Sequence, residues 1–173
     1  QINGSNIVMR KGGDSVEIRK GVVRKSFFST GRHRDSILLD SAVTVKGNTI
    51  FDLGNGKDSV TVDAEIRKAT FELGKGADQI IMKGAVKKAS IDLGVDKASD
   101  VVTIASEDLI SKKIKLINFD KKDELIVAGE SFGYDDLPSN GFDRIKVRFR
   151  DETSSIVPEE SSGSNASTGF DFL

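Results

Sequence analysis

The sequence lacks the residues on which several common classes of functional site depend. Among 173 residues there is no cysteine, no tryptophan, two prolines and a single histidine. Without cysteine the chain forms no disulfide bond and no cysteine-ligated metal centre, which is compatible with either a cytosolic or a secreted protein. One histidine is too few for a zinc site of the usual kind.

The single histidine is also poorly placed for nucleophilic catalysis. His33 lies between Arg32 and Arg34. Two neighbouring positive charges disfavour the protonated ring that a general base must form. The composition therefore gives no support to Ser-His-Asp or Cys-His chemistry.

Charge and hydropathy exclude two further classes of partner. The formal net charge is −1, so bulk electrostatics give no reason to expect nucleic acid as a partner. No apolar run approaches the length of a membrane helix and no N-terminal signal peptide is visible, so membrane insertion is not expected. The chain begins at Gln1 rather than Met, which favours a fragment or a processed product.

The length of the chain, 173 residues, suffices for one domain with a hydrophobic core.

What the sequence does contain is a repeat. Residues 53–58 read LGNGKD and residues 73–78 read LGKGAD, and each stretch leads into alternating apolar residues. Around each Gly-rich stretch the chain alternates apolar and polar residues, a pattern typical of strands that flank a turn. The spacing of 20 residues between the two copies indicates a repeat rather than a coincidence of composition.

Aligned on the aspartate, the repeat extends to six units. The spacings between successive aspartates are 21, 23, 20, 22 and 23 residues, and apolar residues follow at the second and fourth positions after each. The aspartates are Asp14, Asp35, Asp58, Asp78, Asp100 and Asp123. Period-two alternation predicts a strand with one buried face after each of them.

A period near 20 with short strands predicts a solenoid. The asparagine ladder of a leucine-rich repeat and the 3.6-residue faces of a helical repeat are both missing. We therefore expect an all-β fold, a right-handed parallel β-helix or β-roll of about six coils of 20–23 residues over residues 1–130. Residues 128–140 read as a loop, and an alternating strand at 142–149 suggests a C-terminal capping strand or hairpin within 131–150. The Ser-, Gly- and Glu-rich residues 151–173 are expected to be mobile.

The Gly-rich turns have a chemical interpretation. Glycine lets the chain turn its carbonyl oxygens outward, and the aspartate adds a carboxylate. Two such turns stacked on one another surround the space between them with oxygen atoms, which are the ligands that Ca²⁺ takes.

These turns resemble the calcium-binding repeats of the RTX (hemolysin-type) family, Gly-Gly-x-Gly-x-Asp-x-(apolar)-x. The match lies at 53–61 and 73–81, where leucine replaces the first glycine, and residues 116–127 resemble the stretch that often closes such rolls. The resemblance implies a β-roll, calcium bound between stacked turns, and export by the type I secretion machinery of Gram-negative bacteria to the cell surface or the medium. The C-terminal residues resemble the secretion signal of such substrates: Phe170, Asp171, Phe172 and Leu173.

The departures from the family pattern narrow the candidate metal site. Here each coil has one Gly-rich turn instead of two, and the turn at 31–35 is basic, which makes it a poor cation site. The best site lies between turns 53–58 and 73–78, and a second pairs turn 73–78 with 93–100. The candidate ligands are the carboxylates of Asp58 and Asp78, the carbonyl groups of Gly54, Gly56, Gly74 and Gly76, and Asp96 or Asp100 for the second site. The alternative is that the aspartates are metal-free turn residues that cap their own backbone.

A basic residue recurs once per coil in the other connection. The positions are Lys25, Lys46, Lys68, Lys88 and Lys113. Spaced at about 4.8 Å per coil, they could match an acidic polysaccharide or another anionic cell-surface glycan. The alternative is a solvated edge that blocks aggregation.

The sequence therefore favours a non-enzymatic, calcium-binding repeat domain of a secreted or cell-surface bacterial protein, which folds with calcium and assists export and surface association. A polysaccharide-binding module using the lysines is the second hypothesis. A polysaccharide-cleaving enzyme is the third, since Asp52, Glu72 and Asp92 form a row of outward acids. No unique constellation interrupts the period, which counts against an enzyme.

Overall fold

The computed structural model describes residues 1–137 and 144–150, and its regular structure in these ranges is almost entirely β. The first eight strands are β1 (Ile2–Asn3), β2 (Asn6–Val8), β3 (Ser15–Arg24), β4 (Phe27–Ser29), β5 (Ser36–Lys46), β6 (Thr49–Asp52), β7 (Ser59–Val62) and β8 (Glu65–Ile66). The others are β9 (Ala69–Glu72), β10 (Gln79–Met82), β11 (Val86–Asp92), β12 (Val101–Ile104), β13 (Ile110–Phe119), β14 (Glu124–Val127), β15 (Glu130–Phe132) and β16 (Ile145–Phe149). Two short 3-10 helices cover Glu107–Leu109 and Tyr134–Asp136.

The strands form three faces, because equivalent segments of successive coils pair side by side in parallel. The first face runs through β3, β5, β7, β10, β12 and β14. The second runs through β1, β3, β5, β8, β11 and β13, and the third through β2, β4, β6, β9, β11, β13 and β16. The long strands β3 and β5 belong to the first two faces, and β11 and β13 to the last two.

The register confirms the predicted repeat. The residues that directly follow the aspartates align across the first face: Ser15, Ser36, Ser59, Gln79, Val101 and Glu124. Each coil therefore advances by one repeat unit, and the chain is a parallel β-solenoid of about six coils, as the alternation predicted.

The core fills the space that the three faces enclose. Along β7 the apolar Val60 and Val62 point inward and are fully buried, while Ser59 and Thr61 face outward. On the third face Phe28, Phe51 and Phe71 stack on one another from coil to coil, with ring centroids 5.0 and 5.1 Å apart. Like residues thus occupy the same position in successive coils, which packs the core as columns.

The C-terminal end differs in one respect from the loop and strand that the sequence predicts. The expected loop at 128–140 contains β15, which pairs antiparallel with β14. The predicted strand appears as β16, which pairs in parallel with β13 and so extends the third face. Phe149 of β16 lies edge-on against Phe119 and Tyr134, with centroids 6.2 and 4.7 Å apart. These rings cover the last coil of the core.

Within the described part of the chain no helix has the length and apolar character needed to cross a bilayer. The tail predicted at 151–173, with the secretion signal expected at Phe170, Asp171, Phe172 and Leu173, lies outside the described residues.

Candidate functional site

The Gly-rich turns connect the third face to the first face, and they stack with very little space between coils. Gly74 and Gly76 have φ angles of +95° and +123°, in the left-handed region that glycine adopts at low cost. A Cβ atom at Gly74 would lie 1.8 Å from the carbonyl oxygen of Gly54. At Gly76 it would lie 1.5 Å from the carbonyl oxygen of Gly56. Glycine is therefore required here both for the backbone conformation and for the close approach of adjacent coils.

Each turn ends on one of the six aspartates, which together form a continuous row that we call the aspartate ladder: Asp14, Asp35, Asp58, Asp78, Asp100 and Asp123. In each step the backbone N–H of one aspartate donates a hydrogen bond to the Oδ1 atom of the aspartate in the next coil. The five distances lie between 2.7 and 3.0 Å. The ladder therefore links every coil to the next through a side chain as well as through the sheets.

All of the ladder except the partly exposed Asp14 is buried, and part of its hydrogen-bonding capacity is unused. Asp58 and Asp78 are each 2% exposed. The second carboxylate oxygen, Oδ2, has no hydrogen-bond partner in Asp14, Asp35, Asp58 and Asp78. At the last step the Oδ2 atom of Asp123 does accept a bond, from the backbone N–H of Asp120 at 2.7 Å. An unpaired buried carboxylate oxygen is costly, so these atoms are candidates for binding a proton or a cation.

Burial changes the protonation of the ladder. Loss of solvation raises the pKa of Asp58 to about 6, that of Asp78 to about 7 and that of Asp100 to about 8. The pKa of Asp123 rises to about 6 for the same reason. The N–H donors lower these pKa values and the neighbouring ladder carboxylates raise them, but desolvation is the largest cause.

The candidate calcium ligands predicted from sequence are distributed around this ladder. Asp58 and Asp78 lie on adjacent coils and both keep an unpaired Oδ2 atom. The carbonyl oxygen of Gly54 already accepts a hydrogen bond from the N–H of Lys75 at 2.8 Å. Asp96 uses both carboxylate oxygens, one for the N–H of Gly76 and one for that of Ala98, each at 2.7 Å. Of the two predicted sites, the one at Asp58 and Asp78 therefore has the more available oxygen atoms.

The oxygen atoms at Asp58 and Asp78 are suitable ligands for a hard cation, although the ladder contributes only one carboxylate per coil. Within the described residues there is no cluster of three or more His, Cys, Asp or Glu side chains that could hold a metal ion. Calcium also accepts backbone carbonyl and water oxygens, with six to eight ligands in total. Two ladder carboxylates with turn carbonyls are thus a chemically suitable set.

A second row of acids lies on the outer side of the same turns. Asp52, Glu72 and Asp92 are adjacent in register on the third face. With the turn glycines they line a shallow cleft of about 240 Å³. Partial burial, and then the charges of its two neighbours, raise the pKa of Glu72. Asp92 accepts hydrogen bonds from the side chain of Asn118 and the N–H of Gly94, so it acts in part as a turn cap.

The structure corrects the single lysine ladder predicted from sequence. Lys46 is in register with Arg24, not with Lys25. Val45, Ile66 and Val86 are paired in succession, so the residues that follow them, Lys46, Arg67 and Lys87, lie side by side. Lys88 is paired with Lys113. The irregular turns shift the register by one residue, and the cations therefore form two neighbouring columns.

We call these two columns, at the junction of the second and third faces, the basic corner. Its members are Arg24, Lys25, Lys46, Arg67, Lys68, Lys87, Lys88, Lys112 and Lys113. All of them except the partly exposed Lys46 are exposed.

Sequence reasoning missed the role of the aspartates outside the Gly-x-Gly turns. Asp35 follows a basic turn, which the sequence predicts to be a poor cation site, yet it has the same ladder hydrogen bonds and the same burial as Asp58. The sequence signal for this shared role is the recurrence of aspartate at the same position in all six units. A turn motif alone does not reveal that the carboxylate faces inward.

Comparisons with protein-family models, with curated proteins and with solved structures gave no match for this chain.

Proposed function

We propose that this chain is a non-enzymatic repeat domain whose stability depends on calcium bound at the aspartate ladder. The observation that carries the proposal is the pair of buried carboxylates of Asp58 and Asp78, each with an unpaired Oδ2 atom. Two carboxylates on adjacent coils, about 4.8 Å apart along the solenoid, repel one another when both are ionised. A divalent cation shared between them relieves that repulsion.

Calcium suits the turn between these coils better than other divalent ions. The candidate ligands are all oxygen atoms: the unpaired Oδ2 atoms of Asp58 and Asp78, and the carbonyl groups of Gly56, Gly74 and Gly76. Calcium accepts irregular arrangements of oxygen ligands, whereas Mg²⁺ requires near-octahedral geometry. When bound, calcium would supply positive charge to a row of acids. The chain's own residues supply the oxygen atoms and keep the coils in register.

The acids support a structural rather than a catalytic role. The ladder carboxylates bond to backbone N–H groups, and they recur once per coil without a unique pair that would suit general acid/base chemistry. Calcium is abundant outside cells, so a calcium-stabilised coil would fold after export. This agrees with the secreted or cell-surface location, and with the type I secretion route, that the resemblance to RTX repeats implies.

A calcium titration by calorimetry, at pH 8 and with magnesium as the comparison ion, tests the proposal. We expect saturable calcium binding with a Kd on the order of 10⁻⁴ to 10⁻³ M, as in extracellular calcium modules. The double variant Asp58→Asn with Asp78→Asn should abolish the binding. Asparagine keeps the shape and an oxygen acceptor for the ladder bonds, so the fold is preserved while the charge is removed.

A matched control removes the same charge elsewhere. Asp108 and Asp135 are exposed and lie outside the ladder. The double variant Asp108→Asn with Asp135→Asn should bind calcium as the unchanged chain does. The proposal would be overturned if the calcium binding heats were equal in the two double variants, or absent from the folded unchanged chain, because the turns would then be metal-free.

A further inference from the structure

The basic corner is a continuous surface feature that the calcium proposal does not use. Five successive coils contribute to it, and its cations stand in register along the solenoid. Coils are about 4.8 Å apart. Arg24, Lys46, Arg67 and Lys87 therefore follow one another at about that interval, while the neighbouring column has a gap at Gly47 in the second coil. The structure therefore displays rows of cations along one corner of the solenoid.

Protection against strand-edge aggregation does not explain these cations. Lysine guards β-proteins where a strand edge has unpaired N–H and C=O groups. In this solenoid the strands at the corner of the second to fourth coils are paired on both sides: β5 lies between β3 and β8, β8 lies between β5 and β11, and β11 lies between β8 and β13. These corner strands therefore have no free edge, and unpaired edges belong to the ends of the solenoid.

The corner also contains little compensating negative charge. Within the described residues its one salt bridge joins Arg67 to Glu65, at 2.9 Å between Nε and Oε1. Like charges at adjacent positions of neighbouring strands destabilise a sheet. Repeating that repulsion over five coils lowers the stability of the free protein, and a bound polyanion would remove the repulsion.

We propose that the basic corner binds a linear acidic polysaccharide that carries one carboxylate or sulfate group per sugar residue, laid along the solenoid axis. Anions repeated along an extended chain match cations repeated from coil to coil. The contacts are charge-assisted hydrogen bonds from lysine and arginine to the acidic groups. This site is independent of the calcium turns, which lie at the junction of the third and first faces.

A polysaccharide fits the corner better than a nucleic acid does. Sequence-tolerant binding of single strands uses aromatic side chains on which the bases stack. The basic corner contains no aromatic residue, and four of the phenylalanines, Phe28, Phe51, Phe71 and Phe119, are buried in the core. Acidic sugars need only the cations.

Binding to immobilised polygalacturonate and to dextran sulfate, measured at low and physiological salt, tests this proposal on the full chain. We expect salt-sensitive binding to at least one polymer, and a loss of at least about tenfold in affinity when Lys25, Lys46, Lys68, Lys88 and Lys113 are replaced by glutamine. The preferred polymer distinguishes carboxylate from sulfate groups. If the fivefold variant fails to fold by circular dichroism, Lys88→Gln with Lys113→Gln is compared with Lys11→Gln with Lys97→Gln, and a loss of about threefold is expected for the first pair only.

The matched control changes five lysines outside the corner to glutamine, so that net charge falls equally. Suitable positions are Lys11, Lys57, Lys75, Lys83 and Lys97. This variant should keep the affinity of the unchanged chain within about threefold. Equal losses in both variants would overturn the proposal in favour of bulk charge. It would also be overturned if neither polymer bound the unchanged chain, or if single-stranded poly(dT) bound more tightly than both polysaccharides.

Discussion

At the scale of single residues, the solenoid depends on glycine at particular positions of its turns, because a side chain there would collide with the neighbouring coil. Gly54, Gly74 and Gly94 form a column. The carbonyl oxygens of Gly54 and Gly74 lie where a Cβ atom on the glycine of the following coil would be. The three also have positive φ angles, of +86°, +95° and +90°. Any larger residue would separate two coils and thereby weaken the hydrogen bonds of the adjoining ladder step.

Gly74→Ala should therefore destabilise the protein strongly. A left-handed backbone costs an alanine roughly 1 to 2 kcal/mol, and overpacking against the carbonyl oxygen of Gly54 adds roughly 1 to 3 kcal/mol. We expect the free energy of unfolding to fall by about 2 to 5 kcal/mol in urea denaturation followed by circular dichroism.

Gly129→Ala separates the two contributions. Gly129 has a φ angle of +87°, but a Cβ atom there would meet nothing within 4 Å. In this variant the free energy of unfolding should fall only by the cost of the left-handed backbone, about 1 to 2 kcal/mol. If both variants lost the same amount, close stacking at Gly74 would not be what requires glycine.

At the scale of structural elements, the aspartate ladder acts as a fourth line of inter-coil hydrogen bonds beside the three sheets. It places carboxyl groups in a buried row, and desolvation raises the pKa of Asp58 and Asp123 to about 6, of Asp78 to about 7 and of Asp100 to about 8. The ladder is thus favourable to folding when protonated and unfavourable when ionised, unless a cation is present.

Stability should consequently fall as the pH rises from about 4 to about 8 in the presence of a chelator. An aspartate in the unfolded chain has its ordinary pKa of 3.8, so over this range the folded chain binds more protons than the unfolded chain. The stabilisation by protonated ladder carboxyls is complete below pH 4 and is lost as the pH passes through the folded values. Urea denaturation midpoints measured across this range report the dependence of stability on pH. Millimolar calcium should make that dependence weaker. Midpoints that rise steadily from pH 4 to 8 in chelator would contradict the prediction.

Asp78→Asn should remove part of this dependence. The amide is neutral at every pH and its oxygen can accept the N–H of Asp58, so the variant should be more stable than the unchanged chain at pH 8 in chelator. The advantage should disappear near pH 4 and also at pH 8 with calcium. Asp108→Asn, at an exposed position, should change stability by less than about 0.5 kcal/mol at either pH. An Asp78→Asn variant less stable than the unchanged chain at pH 8 in chelator would show that the carboxylate is ionised and stabilising.

At the scale of the whole molecule, most of the fold could be predicted because the repeat constrains it. Recurring aspartates set the coil length, and apolar residues such as Val60 and Val62 set the inward face. Three details could not be read from the pattern: the bond from each ladder N–H to the carboxylate of the next coil, the one-residue shift that places Lys46 beside Arg24, and the parallel pairing of β16 with β13. Each depends on the relative position of two coils, and periodicity within one coil does not specify it.

The same coil-by-coil construction should govern how the molecule unfolds. Each coil contacts chiefly its two neighbours, so stability is approximately a sum over adjacent pairs. Phe51 is fully buried between Phe28 and Phe71. Truncation by Phe51→Ala removes both ring contacts and should cost about 3 to 5 kcal/mol.

Hydrogen exchange measured by mass spectrometry shows which coils are destabilised by Phe51→Ala. In Phe51→Ala the amides of β4, β6 and β9 should exchange faster, while those of β12 and β14, two or more coils away, should keep most of their protection. Val95→Ala, at a position that is 62% exposed, is the control and should leave exchange unchanged. Equal loss of protection in every coil of Phe51→Ala would mean that the solenoid opens as one cooperative unit. Calcium at the Asp58 and Asp78 turns would then stabilise the whole molecule, whereas under the expected local response it protects the middle coils first.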